Sequence, residues 1–151
     1  MRGIAHKFGD DVNTDLIFPA KYMGERGNLK EHAMEGIDPG FARKAKPGDF
    51  VVGGKNFGCG SSREEAVLCL KGMGAIIATS FSHIFYRNGI NQGILMCEAD
   101  TGLINDGDVL ELRKWAIKST GVEIPVKPLH PLLMEIVEDA GLIPHLMKRF
   151  G

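Results

Sequence analysis

With 151 residues, the chain is long enough to bury about two thirds of its unfolded surface in one core, so a single domain over residues 1–151 is expected. Its 18 basic and 19 acidic residues leave a formal net charge of -1, and no basic run exceeds Lys148-Arg149, which excludes nucleic acid as the main partner. Three widely spaced cysteines without a C-x-x-C, and five histidines without an i, i+4 pair, exclude a disulfide framework and a metal held by this chain.

In chain order, residues 1–7 lead into a polar turn rather than an apolar signal segment. No stretch approaches the roughly 20 apolar residues of a membrane span, so a cytoplasmic protein is expected. Residues 3–8 predict a first strand. The cluster Gly9-Asp10-Asp11-Val12-Asn13-Thr14-Asp15 reads as a turn. One Asx residue usually suffices for a turn, so at least one of the three aspartates is a candidate to face a ligand. Residues 21–28 set glycines around charged side chains with no apolar period and predict a mobile surface loop. Residues 29–36 fit a short helix.

Lys46-Pro47-Gly48-Asp49 is a turn feeding a strand at Phe50-Val51-Val52, and Asn105-Asp106-Gly107-Asp108 does the same for residues 109–112. These two strands are expected to pair antiparallel. After the first comes the stretch the chain is organised around, Gly-Gly-Lys-Asn-Phe-Gly-Cys-Gly-Ser-Ser-Arg-Glu-Glu at 53–65. Ala66, Cys69, Leu70 and Met73 then recur at the spacing of a helix's buried face. Ser61-x-x-Glu64 and Ser62-x-x-Glu65 each fit a capping box, in which one serine caps the helix and the other stays free. Gly72 and Gly74 end the helix, and residues 75–79 read as a buried strand parallel to the Phe50 strand. A helix capped at Ser80 or Ser82 and closed by Gly93 follows, with a strand at 94–97. In the tail, Pro131 suits a first helical turn, and Leu132, Leu133, Ile136, Val137 and Ala140 form an apolar stripe before Gly141 and a last short helix. A mixed sheet flanked by helices is the simplest architecture.

Chemically, the 53–65 stretch concentrates positive potential: a helix start, an arginine, a lysine and glycines at 58 and 60 that admit a close ligand. An anion site and an ordinary capped helix start both satisfy this pattern. A dinucleotide fingerprint does not, because Arg63 stands where its third glycine belongs, and a phosphate-binding P-loop fails at Asn56 and Asp49. Cys59 has only small neighbours and no nearby histidine, so it is not read as a nucleophile.

The blocks at 54–66, 80–88 and 9–15 resemble the aconitase swivel domain, in the family's order and across nearly the whole chain. As a free chain of this size it is similar to the small subunits of isopropylmalate dehydratases and their homoaconitase-like relatives. The resemblance implies an α/β fold, a layered β/β/α swivel domain that closes over a hydroxy-dicarboxylate held on a 4Fe-4S cluster in a separate large subunit. It implies Ser61 as general base, with Ser62, Arg63 and Asp15 as substrate-binding residues and Arg26 as a further substrate-binding arginine. It also implies that Tyr22, Met23, Gly24 and Glu25 form the loop that separates substrates. Such an enzyme removes a proton beside a carboxylate while a hydroxyl leaves the neighbouring carbon to the cluster iron. A planar guanidinium stabilises the carboxylate charge that grows as the proton departs. In relatives an arginine two positions after the tyrosine favours an extra carboxylate; here that position is Gly24, which points to an isopropyl or methyl substituent, hence 2-isopropylmalate. Homocitrate, citrate and 2,3-dimethylmalate remain open, as does a non-catalytic anion-binding module.

Overall fold

The computed structural model describes residues 1–24 and 27–151. Among these, β1 (Arg2–Lys7), β2 (Phe50–Val52), β3 (Ala75–Ala78) and β4 (Met96–Glu98) form the parallel half of a sheet, and β5 (Val109–Arg113), β6 (Ala116–Ser119) and β7 (Val122–Pro125) form the antiparallel half. The strand order is β4-β3-β2-β1-β5-β6-β7. An antiparallel bridge from Ala99 to Val126, and a Lys127 amide donating to the Glu98 carbonyl at 2.9 Å, bring the two edges of the sheet together, so it curls on itself.

The two halves differ in sequence for a physical reason. β2 and β3 read Phe-Val-Val and Ala-Ile-Ile-Ala and are buried at every position, as parallel strands covered on both faces must be. β5 buries only Leu110 and Leu112, the alternation of a sheet with one wet face. Inside the curl, Phe50, Val52, Ile77, Cys97, Leu110 and Ile117 pack in one core. On the other face Val51, Ile76, Ala78 and Met96 pack beneath the helices α1 (Thr14–Ile17), α2 (Phe41–Lys44), α3 (Glu64–Leu68), α4 (His83–Asn91) and α5 (Pro131–Glu138). This is sheet on sheet with helices outside, an α/β fold of the layered kind expected. The last helix, α6 (Leu142–Phe150), packs on α4 and α5. Among the described residues no helix is long and apolar enough to cross a membrane.

The Phe50 and Val109 strands do not pair. β1 lies between them, parallel to β2 and antiparallel to β5. The helix expected over 29–36 stops as a single 3-10 turn at Leu29–His32, because Met34 takes a left-handed φ of 57°, which a continuing right-handed helix does not allow. α3 likewise ends at Leu68, although Cys69 and Leu70 remain buried beyond it. Neither serine at 80 or 82 caps α4 through its side chain: Ser82 stands at the cap position without such a bond, and the Ser80 hydroxyl accepts from the Asn56 amide at 2.8 Å.

Candidate active site

The glycine loop leaves the carboxyl end of β2, the end of a parallel sheet at which ligands commonly bind. It is clamped by residues 9–14. The Gly54 amide donates to the Gly9 carbonyl, Asp11 to Lys55, Gly58 to Val12 and Thr14 to Cys59, all between 2.8 and 3.0 Å. Asp10 Oδ1 accepts the Lys55 amide at 2.7 Å, and Asp11 Oδ1 accepts from Asn56 Nδ2 at 3.2 Å. Two of the three aspartates therefore hold the loop rather than face a ligand. Close approach explains two of the glycines. A Cβ at Gly54 would lie 2.0 Å from Asp10 Oδ1, and one at Gly58, whose φ is +82°, would lie 2.1 Å from Cγ of the buried Phe85.

Beyond this clamp the chain turns at Ser61, whose carbonyl accepts from the Arg63 amide at 2.9 Å, and α3 starts only after Arg63. Arg63 holds the cap position in extended conformation, φ -83° and ψ 122°, and no side chain caps the helix. The capping-box expectation is thus overturned for both serines, since the turn sets them ahead of the helix's first amides. Both are exposed, and neither hydroxyl has a hydrogen-bond partner among the described residues. The helix end also supplies little of the expected field, because α3 is five residues long and carries Glu64 and Glu65 in its first turn. The positive charge here belongs to Arg63.

That guanidinium is tethered on one side. Arg63 Nη1 donates to Asp15 Oδ1 at 2.9 Å and to the Phe18 carbonyl at 3.1 Å, while Nε and Nη2 have no partner among the described residues. The Arg63 side chain is 16% exposed and that of Asp15 60%. The Arg63 hydrogen bond, and next the Ala20 amide 2.9 Å from the same oxygen, hold the Asp15 carboxyl below its ordinary range. Asp15 is thereby joined to Arg63, which follows Ser61 and Ser62 directly in the chain. Thr14, Ser82 and Asn88 line one shallow depression with Ser61, Ser62 and Arg63, and sequence reasoning gave them no part in a site, reading Ser82 only as a candidate helix cap. Ser82, Phe85 and Asn88 recur at a spacing of three, which places them along one helix face, so a signal for that wall was present. Lys55 is not among the lining residues.

The segment from Ala20 begins at the Asp15 carboxylate, so Tyr22, Met23 and Gly24 follow directly from the Arg63 tether. Met23 is exposed, and a Cβ at Gly24 would have nothing within 4 Å. Glu25 and Arg26 lie outside the described residues. Among the described residues no group of three or more His, Cys, Asp or Glu side chains could hold a metal. Cys69 and Cys97 sit in opposite cores, with burial pushing the Cys97 thiol up to about 12 and the Cys69 thiol higher still.

Comparison with known proteins is consistent across the chain. The family described as Aconitase C-terminal domain matches residues 9–102, which include Asp15 and the whole glycine loop. The chain is 48% identical to the 3-isopropylmalate dehydratase small subunit 2 of Archaeoglobus fulgidus, over 98% of this chain and 95% of that protein. It is 47% identical to the methanogen homoaconitase small subunit of Methanocaldococcus jannaschii, over 99% of this chain and 92% of that one. A crystal structure of 3-isopropylmalate dehydratase from the same organism superposes with a TM-score of 0.92 at 46% identity, covering 98% of this chain and 93% of the other. Shared sequence over nearly the full length, a shared curled sheet and a family match that spans the loop lead to one conclusion: the chain belongs to the aconitase C-terminal domain family.

Proposed function

We propose that this chain is the small subunit of an aconitase-family hydro-lyase that interconverts 2-isopropylmalate and 3-isopropylmalate by dehydration and rehydration, and that it acts only with its large subunit. The observation that carries the reading is the pair of exposed serine hydroxyls, without a partner among the described residues, beside an arginine tethered along one edge. A capped helix start needs no such pair, and a binding module needs no serine base.

In this reading Arg63 offers Nε and Nη2 to a substrate carboxylate as a planar fork, while Asp15 and the Phe18 carbonyl fix its plane from behind. A carboxylate cannot donate to another carboxylate, so Asp15 serves the substrate through Arg63 rather than by touching it. The substrate carbon that loses its proton is bonded to the carboxylate Arg63 binds. Negative charge spreads into that carboxylate as the proton leaves, and the guanidinium stabilises it more in the transition state than before. Ser61 takes the proton, for which its alkoxide must be stabilised by the adjacent guanidinium and by removal from water. Ser62 holds the substrate. Ser61 and Ser62 stand exposed at the rim of a shallow depression, so exclusion of water from them requires a covering surface, which supports a partner that closes the site. We assign the 4Fe-4S cluster to that large subunit, because no ligand set for it exists among the described residues.

Exposed Met23 and the open space at Gly24 favour an alkyl substituent over a third carboxylate. Three free cysteines suit a reducing, cytoplasmic setting. The test is anaerobic co-expression with the large subunit, cluster reconstitution, and dehydratase assay on 2-isopropylmalate, homocitrate, citrate and 2,3-dimethylmalate, with each subunit also assayed alone. Activity in the mixture only, with preference for 2-isopropylmalate, is expected. Preference for a tricarboxylate refutes the alkyl assignment, and an inactive complex refutes catalysis.

A further inference from the structure

Ten to fourteen residues beyond Tyr22 lies a brace with no assigned role, residues 32–36. Tyr22 Oη donates to Glu35 Oε1 at 2.6 Å, and the other carboxylate oxygen meets His32 Nδ1 at 2.7 Å. The Tyr22 and His32 rings stack, with centroids 3.6 Å apart and planes within 10°. Phe18, whose carbonyl holds Arg63, sets its ring edge-on to both at 6.2 Å. The hydrogen bond from Tyr22 and then the one from His32 hold the Glu35 carboxyl below its ordinary range, while Glu35 pushes the Tyr22 hydroxyl up.

The backbone of the same segment grips α1. The Met34 amide donates to the Ile17 carbonyl at 2.7 Å and the Gly36 amide to the Leu16 carbonyl at 3.0 Å. Contact is so close that a Cβ at Gly36 would lie 2.6 Å from Leu16 Cα, and Met34 is fully buried in a left-handed conformation. One short segment thus joins the helix that carries Asp15 to the turn that carries Tyr22. Glu35 is its hydrogen-bonding side-chain contact with that turn, beside the stacked His32 ring, and it does not line the depression.

We propose that Glu35 is a positioning residue for substrate selection: it fixes Tyr22, and with it Met23 and Gly24, at a set distance from the Arg63 fork. This rests on the isopropylmalate reading of the same site. Without the clamp, Arg63 keeps its own tether to Asp15 and Phe18, so carboxylate binding and proton removal persist. What is lost is the fixed wall against which the substituent is measured.

The experiment compares Glu35→Ala, Glu35→Gln and Tyr22→Phe small subunits, each assembled with the large subunit, on 2-isopropylmalate and homocitrate. Glu35→Ala is expected to shrink the ratio of kcat/KM between the two substrates at least about fivefold, a part of the roughly 10- to 200-fold that one hydrocarbon-sized difference in a pocket confers. The change should fall on KM, with kcat for the preferred substrate within about twofold, because the fork and base are untouched. Glu35→Gln keeps an acceptor for Tyr22 and a polar group for His32 and should restore the ratio; Tyr22→Phe should lower it. If Glu35→Ala does not assemble, Glu35→Gln and Tyr22→Phe carry the comparison. Equal loss on both substrates, or no change in the ratio, overturns the inference while leaving the isopropylmalate reading intact. A wild-type complex inactive on both substrates overturns that reading first.

Discussion

Replacing Arg63 with lysine separates what the guanidinium does for the fold from what it does for the substrate. In the protein Nη1 already serves two acceptors, Asp15 Oδ1 and the Phe18 carbonyl, and the remaining edge, without a partner among the described residues, is the one proposed to meet a carboxylate. An ammonium has the charge but no second edge, so it either keeps the tether or turns to the substrate. The loss is at least one hydrogen bond between charged groups, about 1.5–3 kcal/mol, which at about 1.4 kcal/mol per decade is about a 10- to 150-fold fall in kcat/KM. The tether itself joins Arg63 to a carboxylate open to water, and such pairs contribute little to folding. The melting temperature of the isolated subunit should therefore stay close to wild type. Steady-state kinetics of the assembled enzyme, with 2-isopropylmalate as substrate and a thermal melt as control, checks both halves. A kcat/KM within about threefold of wild type would show that the free edge of Arg63 does not meet a carboxylate.

Gly58→Ala should act on stability: a left-handed φ of +82° costs about 1–2 kcal/mol in a residue with a Cβ, and crowding Phe85 about 1–3 more. At about 2–4 °C per kcal/mol for a chain this long, the melting temperature should drop by about 4–20 °C, and an unchanged melt would contradict the packing described. Acid should unfold the protein partly through Asp49. Burial raises its carboxyl, but hydrogen bonds from His6 at 2.9 Å and from the Lys46 and Ile4 amides outweigh this and hold it below the ordinary 3.8. A depressed folded-state value means the contribution is complete above that ordinary value and is lost as pH falls through the lower one. Denaturant midpoints measured from pH 6 to pH 2 should thus decline mainly below about pH 4, more steeply in wild type than in Asp49→Asn; identical slopes would remove Asp49 from the account.

How much of this was legible in the sequence depended on whether the cause was local. The unit from Phe50 to Ala78 could be read because an unbroken apolar run, a glycine loop and a second apolar run each state their own structure. β6 and β7 went unread because each buries a single large side chain, Ile117 and Ile124, within a short, polar stretch. The place of β1 between β2 and β5 is a matter of distant pairing, which no turn signal carries. At the site, Ser61, Ser62 and Arg63 stood out by residue type, whereas Asp15 was singled out from three aspartates only by the family resemblance. The capping boxes misled because Arg63 is extended, a choice its fit to Asp15 and Phe18 accompanies and its neighbours in sequence do not announce. The same holds for Asp10 and Asp11, whose partners lie some 45 residues away. Glu35 was invisible for that reason too: its value comes from a tyrosine 13 residues earlier that only the folded chain sets beside it.

The most direct test of the central claim, that the Gly-Ser-Ser-Arg loop is the catalytic surface this subunit brings to its partner, is the turnover of Ser61→Ala in the assembled enzyme. The hydroxyl is exposed and without a partner among the described residues, so folding and assembly should match wild type. The account predicts a fall in kcat of at least about a hundredfold, the lower end of what a general base contributes. Near-normal turnover in an intact complex would contradict it.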